Sequence, residues 1–74
     1  MNLELTRELL NAAEQQPHGR LHVSGREAAR EVELLAHAGF IEASLDAAGR
    51  DPAAVIERLT ETGRKLLNVL RKDS

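Results

Sequence analysis

A chain of 74 residues with 42% hydrophobic residues and a formal net charge of −2 is one folded domain, too apolar to be disordered and too short for two cores. The charge lacks the basic excess that gives nucleic-acid binders most of their non-specific affinity, so only a local basic face could serve DNA. The absence of cysteine excludes disulfides and thiolate chemistry.

No apolar run approaches the ~20 residues of a membrane span, and Met1 opens onto an acidic amphipathic stretch rather than a signal peptide. The expected setting is a reducing cytoplasm, with no membrane partner. Phe40 is the lone aromatic, so the core must be built from Leu, Val and Ile. A domain of this size buries only about 60% of its unfolded surface, and a homodimer is one way to add burial.

Asn2 can cap a helix from Leu3 to about Gln16, with Glu4 in the first turn where the helix dipole favours an anion. Leu5, Leu9 and Ala13, with Leu10 beside them, form its apolar stripe. Pro17 ends the helical geometry and His18-Gly19 completes a turn. Arg20-Leu21-His22-Val23 then alternates as a short half-buried strand. Ser24-Gly25-Arg26-Glu27 has the spacing of a capping box, in which Ser24 bonds the backbone at Glu27 and Glu27 reaches back. A second helix is expected from Gly25 to Ala38, burying Ala28, Val32, Leu35 and Ala36. Gly39 then takes the left-handed conformation, and Phe40 contacts Leu35 in a Schellman motif.

Ile41, Ala43 and Leu45 alternate with Glu42, Ser44 and Asp46 as a strand with one wet face, and Ala47 to Pro52 is a turn or tip. Ala54 to Leu59 has two readings. As a strand it returns antiparallel to Ile41–Leu45, with Leu21 and Val23 adding a third strand. Alternatively Asp51-Pro52 starts one long helix carrying Val55, Leu59, Leu66 and Leu70. Gly63 would then lie inside the helix at a cost of about 1 kcal/mol. The strand followed by a helix from Glu61 to Lys72 is the preferred reading. The expected fold is α+β: three helices and a short three-stranded antiparallel sheet, in the order α-β-α-β-β-α.

Two stretches resemble the winged-helix superfamily. Glu31-Val32-Glu33-Leu34-Leu35-Ala36-His37-Ala38-Gly39-Phe40-Ile41-Glu42 is similar to the end of a recognition helix and its exit into the wing. Ile56-Glu57-Arg58-Leu59-Thr60-Glu61-Thr62-Gly63 is similar to the second wing strand entering the last helix, with a Leu-Thr-x-x-Gly signature. The likeness covers Glu31 to Leu70 and is nearest to short uncharacterised bacterial and prophage proteins. It implies a small winged-helix-like domain spanning residues 1–74 that binds duplex DNA as a regulator. One departure stands out: only one helix fits between Val23 and Gly39, where a full winged helix-turn-helix has two. The bracing helix is missing or shrunk to a turn near Ser24, which alters how the domain could dock in a groove.

The exposed face expected for the second helix carries Arg26, Glu27, Arg30, Glu31 and Glu33. Arg26 and Arg30 are one turn apart near its N-terminus, where recognition helices meet base edges; the alternative is a solvated face whose carboxylates oppose phosphate. On the last helix Arg64, Asn68 and Arg71 share a face flanked by Lys65 and Lys72. That stripe could track phosphates, or it could simply complement the helix dipole.

His18 and His22 are four apart around Gly19 and lack nearby carboxylates or thiolates, so no metal site is expected. Ser24 has no activating histidine, no phosphate-binding glycine loop occurs, and no cofactor or small-molecule substrate is indicated. The reading is a non-enzymatic binding module with Arg26 and Arg30 reading DNA and Arg64, Lys65, Arg71 and Lys72 anchoring phosphates. Its alternative is a winged-helix protein-interaction or dimerisation module that does not bind DNA.

Overall fold

The computed structural model describes residues 2–16, 20–46 and 52–72. Three helices and three strands follow in the order α1 (Leu3–Glu14), β1 (Leu21–Ser24), α2 (Arg26–His37), β2 (Ile41–Asp46), β3 (Ala53–Leu59) and α3 (Glu61–Lys72). This is the α+β arrangement expected from the sequence, and β3 rules out a continuous helix from Pro52 to Lys72. The turn at His18 and the tip at residues 47–51 lie outside the described residues.

Two of the three helix starts are capped by a side chain. The Asn2 side chain accepts the Leu5 backbone N–H at 3.2 Å and caps α1. Thr60 does the same for α3, its hydroxyl accepting the Gly63 N–H at 3.0 Å. At α2 the expected capping box does not form. Ser24 remains in β1 and Gly25 is the N-cap, with φ of 101° and no side-chain cap bond. The Gly25 N–H donates instead to the Pro52 carbonyl at 3.1 Å. Sheet pairing therefore holds Ser24 in an extended strand, out of cap position.

The exit of α2 has the expected Schellman geometry. Gly39 has φ of 86°, its N–H reaches the Ala36 carbonyl at 3.1 Å, and the Phe40 N–H reaches Leu35 at 3.0 Å. Both bonds satisfy carbonyls that a helix end otherwise leaves open.

The sheet order is β1-β3-β2, all antiparallel. Leu21 pairs with Ile56 and Val23 with Ala54, while Ala43 pairs with Ile56 and Leu45 with Ala54. Between Glu42 and Ala43 the partner shifts from Arg58 to Ile56, so Glu57 is an extra residue, a β-bulge. The bulge resolves a conflict of period. Ala54 and Ile56 face the core at spacing two, and Leu59, at odd spacing, would point outward in a regular strand.

The core gathers Leu9, Leu10, Val23, Val32, Leu35, Ile41, Ala54, Ile56 and Leu67, with Phe40 and Leu59 packed against it. On α2, Ala29 is buried where Ala28 and Ala36 were expected; those two are only partly buried. Among the described residues, two polar ones join the interior: Thr6, with no exposure, and Glu31, 5% exposed. The sequence puts Glu31 on the exposed face of the second helix; in the fold it is buried instead. The Thr6 hydroxyl donates to Glu31 Oε1 at 2.5 Å and the Asn2 N–H lies 3.4 Å from Oε2. The carboxylate is thus tied to the first turn of α1, where the helix dipole also favours it.

Candidate functional site

Arg26 and Arg30 are exposed on α2, on a stripe continued by Glu33, Leu34 and His37. The sequence placed both arginines on this face, but their setting depends on α1, which packs against α2 and against α3. An open groove of about 450 Å³ runs between the starts of α1 and α2, and its lining includes Glu4, Glu8, Arg26 and Glu27. Arg26 therefore shares its surroundings with three carboxylates, an unfavourable approach for a phosphate backbone.

On α3, Arg64, Lys65 and Lys72 are exposed. Arg71 is engaged within the fold. Its Nη2 donates to Asn11 Oδ1 at 2.5 Å and to Glu14 Oε1 at 2.7 Å, joining the end of α3 to the second half of α1. Both side chains of the ion pair stay partly exposed, so it contributes at most about 1 kcal/mol. It does neutralise one of the four expected phosphate anchors. The partners are 57 and 60 residues away in the chain, and no local spacing signals such a pair.

A further ion pair crosses the hairpin on the open face of the sheet. Arg58 Nε and Nη2 donate to the two carboxylate oxygens of Glu42, in a fork that spans the pair next to the bulge. The hydrogen bond from Arg58 holds the Glu42 carboxyl below the ordinary carboxylate range.

The Leu59-Thr60-x-x-Gly63 stretch is a structural joint. The Thr60 hydroxyl donates to the Gly39 carbonyl at 2.7 Å while capping α3, and the Thr60 N–H donates to the Phe40 carbonyl at 3.1 Å. Gly63 lies so close that an added Cβ would stand 1.9 Å from that carbonyl oxygen. The motif locks the start of α3 onto the end of α2.

His22 is exposed on β1 and His37 at the end of α2; His18 is outside the described residues. Among the described residues, no three His, Asp or Glu side chains converge as a metal site. Also among them, no helix is long and apolar enough to cross a membrane. No protein-family model, curated protein or solved structure matches the chain.

Proposed function

We propose that the chain is a reduced winged-helix domain acting as a non-enzymatic protein-interaction or dimerisation module rather than as a reader of DNA. The observation that carries this reading is the compensation of three of its basic residues. Arg71 is bonded to Glu14 and Asn11, Arg26 opens onto Glu4, Glu8 and Glu27, and Arg58 is paired with Glu42. The connection from β1 to α2 supports it too. A single residue, Gly25, separates them, leaving no room for the helix that braces a recognition helix against the DNA backbone. The reading requires no cofactor and no small-molecule substrate.

Duplex DNA remains the second reading, favoured by the exposure of Arg30, Arg64, Lys65 and Lys72. With Arg71 engaged, three anchors on α3 give a salt slope of roughly −2.7 at most, at about −0.9 per phosphate. Titration of the domain into labelled random duplex at low salt separates the two. The interaction reading expects no binding at high micromolar protein; saturable binding that weakens with salt at that slope would establish the DNA reading.

A further inference from the structure

The sheet order leaves β2 as an edge strand six residues long, with no partner on its outer side among the described residues. The hydrogen-bonding phase of that edge follows from two bonds. Gly25 N–H to Pro52 O extends the β1–β3 register and makes 25/52, 23/54 and 21/56 the hydrogen-bonded pairs. Residues 53 and 55 of β3 then turn their backbone groups toward β2 and engage Asp46 and Ser44. Alternation leaves the N–H and C=O of Ala43 and Leu45 pointing outward. Beyond the bulge, Thr60 N–H to Phe40 O makes 40/60 and 42/58 the bonded pairs, so Ile41 also points outward. The edge thus presents three donors and three acceptors at regular two-residue spacing.

We infer that this edge pairs with the β2 edge of a second copy of the chain, antiparallel about a two-fold axis at Ala43, giving a continuous six-stranded sheet. The inference rests on the interaction-module reading and names its partner and surface. The commitment to a second copy comes from self-complementarity. Centred on Ala43, the segment 41–45 overlaps itself completely, and all outward backbone groups fall in hydrogen-bonded pairs. Ile41 lies opposite the second copy's Leu45, which covers a leucine that is 46% exposed in the monomer. On the open face Glu42 lies opposite Ser44, a hydroxyl able to donate to the carboxylate.

The two neighbouring in-phase registers are less favourable, one through charge and one through lost overlap. Centring on Glu42 sets two glutamates face to face, and like charges directly opposite destabilise a sheet; centring on Ser44 leaves Ile41 without a partner inside the 41–46 strand. Natural edges are blunted by proline, lysine, bulges or brevity. β2 has no proline or lysine, and the bulge lies in β3. Its one glutamate, Glu42, is drawn across the hairpin toward β3 by the Arg58 fork. β1, by contrast, is four residues long and offers only His22 and Ser24 outward.

The test uses the whole chain and its lack of cysteine. Ser44 is exposed, so its variants leave the core alone. S44E places a carboxylate opposite Glu42 twice per dimer and should weaken association by about tenfold or more in sedimentation equilibrium, whereas S44K should strengthen it. In A43C the two thiols meet on the axis at a Cα separation of about 5.5 Å, within disulfide reach of about 4.4–6.8 Å. Mild oxidation should give a covalent dimer, and S24C should not. Circular dichroism verifies that each variant is folded. A wild type that stays monomeric up to about 1 mM, a concentration at which even weak pairs are half-associated, would overturn the inference. So would a dimer indifferent to the charge at position 44 and not crosslinked at position 43; that second result would still leave an interaction module, with its surface elsewhere. Salt-dependent duplex binding by the monomer would remove the reading beneath it.

Discussion

Thr6 and Glu31 form a buried side-chain hydrogen bond that joins α1 to α2. Thr6→Val keeps the shape but removes the donor, leaving a carboxylate oxygen buried without its partner. We expect a loss of about 1–3 kcal/mol, read as a lower urea midpoint at unchanged slope, with Thr6→Ser losing less because the hydroxyl is kept. Two glycines test different constraints. At Gly39 an added side chain has open space but a φ of 86°, so Gly39→Val should lose about 1–3 kcal/mol through backbone strain alone. At Gly63 the φ is not the obstacle and space is absent. Gly63→Ala should destabilise by about 1–3 kcal/mol through overpacking against Phe40, although alanine is the better helix former by about 1 kcal/mol. The role of Gly39 was legible in the sequence because a helix stop is written in adjacent residues. Glu31 was misplaced because its partner Thr6 is 25 positions away, on a helix whose apolar stripe gave no reason to bury a threonine.

At the scale of elements, the helices follow from local signals, whereas β3 needed its neighbours. Asp51-Pro52 is a good helix start, and Val55, Leu59, Leu66 and Leu70 fit one long helix, which made that a competing reading; in the strand, the alternation breaks at Glu57. The bulge accommodates the break and yields an unusual expectation. Deleting Glu57 should leave a regular strand, with Ile56 inward, Arg58 outward and Leu59 inward, still opposite Ala43, Glu42 and Ile41. The deletion variant should melt cooperatively with native-like circular dichroism. Deleting Val55 instead turns Ala54 and all preceding residues of β3 to the wrong face and should abolish folding. The Glu42–Arg58 fork also lies in this hairpin. Because the folded-state pKa of Glu42 is lowered, its small stabilisation is present above the unfolded carboxylate pKa and fades as pH falls through the folded value. Arg58→Ala should flatten that part of the acid stability profile.

For the molecule as a whole, a net charge of −2 leaves only local basic surfaces, and folding changes the surroundings of some of their members. The stripe on α3 reads as a unit because Arg64, Lys65, Arg71 and Lys72 are close in sequence. Folding brings Glu14 and Asn11 onto Arg71 and sets the carboxylates of α1 beside Arg26, and neither pairing has a local signature. The strand order and the open edge of β2 were equally out of reach, since a hairpin and a third strand can be ordered in more than one way. The proposed association is assigned to that edge of the sheet and to the exposed Leu45 on it. Sedimentation velocity of the unmodified chain across a concentration series, at low and at high salt, tests this account most directly. We predict a reversible monomer–dimer equilibrium whose midpoint barely moves with salt, because backbone hydrogen bonds and apolar contact hold it. A chain that stays monomeric at every concentration and salt would contradict it.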